Sequence, residues 1–158
     1  MGLRKILTDK EPALHKVCKK VEKFDWRLHK LLDDMRETLI DSNGVGLAAP
    51  QVGILRRVVL VDTGEEILEL VNPELLETDG EQVGAEGCLS VPGKYGLVKR
   101  PFYAKVRAQD RFGEWYEAEG EEITARCFCH ELDHLDGILY TQIMDRYLTD
   151  EELNADEE

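Results

Sequence analysis

The chain has 158 residues, 42% of them apolar and 34% charged, and a formal net charge of −13. That length suits one domain with a core of its own, residues 1–158 taken together. No run approaches the roughly 18 apolar residues of a membrane span, and with 33 acidic against 20 basic residues the balance argues against nucleic acid as a partner.

The opening stretch MGLRKILTDKEPALHKV lacks the apolar core and small-residue cleavage site of a signal peptide, so a cytoplasmic location is expected. In that compartment the four cysteines are expected to be free thiols or metal ligands rather than disulfides. From Asp25 to about Ser42, Leu28, Leu31, Leu32, Met35 and Leu39 recur at helical spacing. Asp25 stands where an N-cap belongs, and Asn43-Gly44 closes the helix. RRVVLVD (Arg56 to Asp62) is a β-branched run that predicts a strand, with Thr63-Gly64 as its turn and ILELVNP (Ile67 to Pro73) as its partner. Asp79-Gly80 marks another turn. FYAKVRAQD and EWYEAEG flank Arg111-Phe112-Gly113 as a hairpin. A second helix is expected from about Thr124, and the acidic stretch from about 149 to 158 reads as a frayed, solvated end. Strands followed by a helix that seals them make an α+β domain of mostly antiparallel sheets, with an N-terminal helix.

That second helix carries CHELDHLDG (Cys129 to Gly137), with the pattern His-Glu-x-x-His. His130 and His134 lie one turn apart on one face and can share a metal ion, while Glu131 can take a proton from a metal-bound water. A catalytic site of this kind needs a third protein ligand and an open position. Downstream, Tyr140 stands where one class of such enzymes has a third histidine, and the acids beyond it lie mostly in the polar tail. Cys127 would sit roughly 10 Å along the axis from His134, and Cys129 about 100° round the helix from His130. Both read as small residues packing the helix on the sheet. Cys18 lies in a polar stretch, HKVCKK. Cys88, in EGCLS (Glu86 to Ser90), remains: Gly87 allows close backbone approach there, and Leu89-Ser90-Val91 reads as an extended segment. The expected site is therefore Cys88, His130, His134 and a water.

A third stretch, GVGLAAPQ (Gly44 to Gln51), suits a backbone edge for an extended peptide, with the Gln51 amide free to donate to a carbonyl oxygen. GVGLAAPQ, EGCLS and HELDHLDG, in this order and at these separations, resemble the three motifs of the peptide deformylases. The resemblance implies a fold in which antiparallel sheets pack around the helix bearing His-Glu-x-x-His. It implies removal of the formyl group from the N-terminal formylmethionine of nascent bacterial or organellar proteins. It also implies a metal, commonly iron(II), with zinc, nickel or cobalt accommodated. On that resemblance Cys88, His130 and His134 bind the metal, and hydroxide on it attacks the formyl carbon. Glu131 is general base and acid, Gln51 and the Leu89 N–H stabilise the oxyanion, and Val45, Gly46 and Gly87 line the peptide cleft.

Two features depart from the family pattern. Cys129 replaces a usual Gln, and an acidic tail stands where some relatives carry a longer helix implicated in ribosome contact. Ribosome proximity is thus implied, without a basis for direct docking. Two other readings stay open on sequence: a small metallopeptidase cutting ordinary peptide bonds, and a binding module whose metal is structural.

Overall fold

The computed structural model describes residues 2–155. Helix α1 spans Trp26–Ser42. The Asp25 carboxylate accepts from the N–H groups of Arg27 and Leu28. Asn43 closes the helix at φ 56°, a left-handed cap that Asn tolerates. The leucines at helical spacing, together with Met35, form its buried face.

Five strands form one antiparallel sheet: β1 (Gly46–Ala48), β2 (Val58–Asp62), β3 (Ile67–Asp79), β6 (Tyr103–Gln109) and β7 (Trp115–Glu121), in the order β1-β2-β3-β6-β7. Helix α2 (Ile123–Leu135) covers one face, and α1 the other. Alternate residues of β2 therefore enter different cores, Val58 and Leu60 on the α1 side, Val59 and Val61 on the α2 side. That is why the strand reads as an unbroken apolar run.

Strand β3 does not stop at Pro73 as its sequence suggests. The register shifts between Val71 and Glu74, so Pro73 sits in a bulge where no ladder N–H is required. Asn72 there adopts φ 51°. Its side chain accepts from the Val21 N–H at 2.8 Å and donates to Val21 O at 2.9 Å and Gln109 Oε1 at 2.8 Å. The hairpin of β6 and β7 forms as expected, with Gly113 at φ 87° in its loop.

Sheets in the plural are expected, but neither strand of the second is among the elements predicted from sequence. Strands β4 (Gln82–Cys88) and β5 (Val91–Arg100) pair as a separate hairpin. Leu89 and Ser90, expected to be extended, are the turn that joins them. Four glycines and Pro92 hide these strands from propensity. Packing of Val91 and Val98 on Tyr140 holds them instead, as does a backbone ladder to the downstream chain, with Leu97 N–H donating to Arg146 O and Asp145 N–H to Leu97 O.

The acidic tail is also more ordered than expected. Asp150–Ala155 form a short helix, α3. Thr149 and Glu152 cap it reciprocally, the Thr149 N–H donating to Glu152 Oε1 and the Glu152 N–H to Thr149 Oγ1. Arg146 grips the same carboxylate with two bonds. The rest of the tail, 156–158, lies outside the described residues. Among those described, no helix is long and apolar enough to cross a membrane.

Candidate metal centre and cleft

Helix α2 presents His130 and His134 on the face turned toward the end of β4, where Cys88 stands. The Cys88 Sγ lies 3.3 Å from His134 Nε2, and the two Nε2 atoms are 3.2 Å apart. All three ligating atoms fall within 4.8 Å of one another. Metal–nitrogen bonds of about 2.05 Å and a metal–sulfur bond of about 2.3 Å in tetrahedral array give edges of about 3.3 Å for N–N and about 3.6 Å for S–N. The N–N separation and the Cys88–His134 separation match those edges to within a few tenths of an ångström, and the third lies within 4.8 Å, so the donor set fits one metal ion.

The orientation of His130 is fixed from behind. Its Nδ1–H donates to Glu86 Oε2 at 2.6 Å, leaving the Nε2 lone pair for a metal. Glu86 is buried and meets three cations or donors. Arg100 binds both its oxygens, at 3.0 and 2.7 Å, and Arg126 Nη1 donates to Oε1 at 3.0 Å. Arg100 also reaches Asp133 of α2 at 2.7 Å. Burial opposes ionisation of Glu86, but the bonds from Arg100 and His130 outweigh it and hold its pKa at about 2. It is therefore a carboxylate at neutral pH and an acceptor for His130. His134 is pushed well below the usual value by burial and by neighbouring His130, which keeps it neutral as a ligand must be.

Glu131 projects beside this cluster, 3% exposed, with Oε1 lacking a hydrogen-bond partner among the described residues. Burial raises its pKa to about 7. Gln51, in the short 3-10 turn Ala49–Val52, is fully enclosed. Its Oε1 accepts from the Ala48 N–H at 2.9 Å, so its NH₂ must face the other way, 3.6 Å from Cys88 Sγ. A cleft of about 500 Å³ opens onto His130 and Glu131, bordered by Val45, Gly46, Gly87, Leu89, Tyr95 and Ile123. A larger groove of about 760 Å³, between Lys19–Lys23 and α1, contains none of these residues.

A family model described as polypeptide deformylase matches residues 3–149. The chain belongs to the polypeptide deformylase family. The peptide deformylase of Caldicellulosiruptor bescii is 53% identical over 153 residues, 97% of this chain and 92% of that protein. That of Agathobacter rectalis is 54% identical over 150 residues, 95% of each. The crystal structure of the Thermotoga maritima peptide deformylase superposes with a TM-score of 0.89 at 41% identity, covering 92% of this chain and 99% of that one.

This deformylase thus brings the residues singled out by sequence to one place: Cys88, His130 and His134 at the centre, Glu131 and Gln51 beside them, and Val45, Gly46, Gly87 and Leu89 along the cleft. Cys127 and Cys129 pack in the core between α2 and the sheet, and Cys18 is buried in the same cluster. Glu86, Arg100, Arg126 and Asp133 were not singled out. Glu86 stood in EGCLS beside Cys88, and an acid two residues from a metal ligand is the signal that marks it. The arginines gave none, being brought in by strand pairing. Gly46 has a tighter role than lining: a Cβ there would stand 2.5 Å from Glu131 Oε2 and 2.6 Å from Cys127 Sγ.

Proposed function

We propose that Cys88, His130 and His134 hold a divalent metal at which this chain hydrolyses the formyl amide of a formylmethionyl polypeptide. The convergence of one Sγ and two Nε2 atoms beside a buried Glu131, at the inner end of a cleft, carries this reading. When bound, such a metal supplies Lewis acidity toward the formyl carbonyl and acidifies a water at neutral pH.

The chain's own residues do the rest. Glu131, with a pKa near the working pH, accepts the proton of the attacking water and delivers it to the departing amine. The Gln51 NH₂ and the Leu89 N–H donate to the formyl oxygen as its charge grows. Gly46 ends the free edge of β1, and Gly87 lies on β4 across the cleft, so an extended peptide can pair with backbone there. Formyl carries only hydrogen on its carbonyl carbon, so a site walled by Gln51, Cys88 and Glu131 would exclude larger acyl groups sterically.

Iron(II) is the native metal we propose, and zinc, nickel or cobalt suit the same mixed thiolate–imidazole set. Residues 1–158 act as one catalytic domain on nascent polypeptides in the bacterial cytoplasm. The first turn of α3, Asp150, Glu151 and Glu152, offers no cationic surface for direct docking on a ribosome. The test is metal analysis of anaerobically purified protein, with a formyl-Met-peptide and its unformylated twin assayed on the same sample. Release of formate from the first, with no cleavage of either backbone, is expected; cleavage of the unformylated peptide would make the chain a peptidase.

A further inference from the structure

The loop carrying Gln51 and the turn after Cys88 belong to different sheets, and among the described residues few hydrogen bonds join them. Gln51 Nε2 reaches Cys88 Sγ and, at 3.1 Å, the Ser90 Oγ. Ser90 is wholly buried and is neither a metal ligand nor a proton-transfer group. The remaining links come from the N-terminal segment. Leu7 N–H donates to Gln51 O at 2.7 Å, and Asp9 N–H donates to Ser90 O at 2.9 Å. In extended chain, N–H groups two residues apart point the same way, so one short strap holds both backbones. The strap is anchored in turn: His15 Nε2 donates to Asp9 O at 2.7 Å, and Leu14 is completely buried.

We propose that Ser90, backed by the Leu7–Asp9 strap, is the positioning residue for the Gln51 amide, turning one of its N–H bonds into the site at the place where the formyl oxygen develops charge. A primary amide has two N–H bonds and one rotation to fix. Ala48 N–H holds Gln51 Oε1, and Ser90 Oγ takes one hydrogen. The other hydrogen is left directed toward Cys88 and the metal ligands. With Ser90 gone, the amide keeps the Ala48 tether on its oxygen and, on its nitrogen, only the long 3.6 Å contact with Cys88 Sγ, so it swings about the first. The inference rests on the reading of Gln51 as an oxyanion donor, and the experiment separates the two.

Four proteins are compared on formyl-Met-peptide after equal metal loading: wild type, Ser90→Ala, Gln51→Ala and the double variant. Gln51→Ala is expected to lose roughly 10²-fold in kcat, the scale of one oxyanion donor. Ser90→Ala should lose roughly tenfold in kcat with KM within about twofold, as for a donor misplaced by a fraction of an ångström. In the Gln51→Ala background, Ser90→Ala should change kcat by less than about twofold, because it acts through the missing amide. Independently of turnover, the Gln51 side-chain NH₂ resonances should exchange slowly in the wild type and fast in Ser90→Ala.

A second variant tests the strap. Glu11 N–H donates to Thr8 O, and neither Asp9 nor Lys10 has positive φ, so Asp9 is the second residue of a type I turn. That position accepts proline, so Asp9→Pro deletes the N–H that holds Ser90 O and preserves the turn. It should slow kcat severalfold in the wild type and leave Gln51→Ala unchanged. A tenfold loss from Ser90→Ala within Gln51→Ala would make Ser90 merely structural and overturn the proposal. So would full activity of Ser90→Ala beside a slow Gln51→Ala. Full activity of Gln51→Ala would overturn the oxyanion reading and this inference with it.

Discussion

Helix α2 crosses β1 at Gly46, and the crossing is where Glu131 is placed. Cys127 and Glu131 are one turn apart on the helix, and both press on the space a Cβ would occupy: 2.6 Å to Cys127 Sγ, 2.5 Å to Glu131 Oε2 and 3.0 Å to Glu131 Cδ. Non-bonded heavy atoms settle near about 3.5 Å, so Gly46→Ala demands about 1 Å of movement. The strand cannot supply it, since Gly46 is paired with Val61 and the neighbouring Val45 O accepts from the Asp62 N–H at 2.7 Å. Oε2 is the end of a flexible side chain and gives first. A displacement of that size in a proton-transfer group costs on the order of 10²-fold in kcat. Overpacking costs about 1–3 kcal/mol, or several degrees in Tm for a chain of this length. The assay is kcat on formyl-Met-peptide beside metal content and thermal melting of the same preparation. A tenfold or greater fall in kcat at full metal occupancy is expected. If kcat stayed within about twofold, Glu131 would not need its observed place. If the metal were lost, the whole helix would have moved and the reasoning would fail in another way.

Cys88→Ser replaces the soft ligand of the cluster, so tight metal binding should be lost, whereas the same change at Cys18 or Cys129 should leave metal content near wild type; full occupancy in Cys88→Ser would remove Cys88 from the ligand set. Glu131→Gln keeps the shape but cannot accept a proton, so it should retain metal and lose about 10²–10⁴ in kcat. Iron-loaded protein should decay in air as iron and thiolate oxidise, while the nickel-loaded form persists; equal decay would count against iron chemistry. Glu86, held at about 2 against the usual 4.5, is more acidic folded than unfolded, so its contribution is complete above about pH 4.5 and is lost as pH falls toward 2. Urea midpoints of metal-free protein should therefore fall across that window, and Glu86→Gln should be weaker at neutral pH with a flatter profile; equal slopes would refute the assignment.

The elements legible in the sequence are those whose instructions are local. Helix α1 carries its own N-cap and left-handed C-cap, and β2 its apolar run; the β6–β7 loop is tied by Asp110 Oδ1, which accepts from the Phe112 and Glu114 N–H groups. The rest depends on partners far along the chain. Asn72 is fixed in its left-handed conformation by bonds from its side chain to Val21 and Gln109, so nothing near Pro73 announces that β3 continues. Strands β4 and β5 are rich in glycine and acquire their pairing from Tyr140 and from the chain around Arg146. The capping box Thr149-x-x-Glu152 is local and readable in the sequence, although it opens a stretch whose high charge alone suggests a solvated end.

The same division runs through the site. Metal ligands are constrained in residue type, so His130, His134 and Cys88 can be found by asking which side chains can bond a metal and at what helical spacing. Their support is constrained only in charge and shape. The carboxylate behind His130 has to be ionised while buried, and a buried carboxylate requires cations matched in number and geometry. Arg100 comes from the far end of the hairpin and Arg126 from one turn before His130, and both converge on the carboxylate of Glu86. With Asp133 on the outer side of Arg100, this network also fastens the hairpin that delivers Cys88 to the helix that delivers the histidines. Positions of the ligands therefore depend on charges that none of them contacts except through Glu86, which is why removing one carboxylate there should loosen metal and fold together.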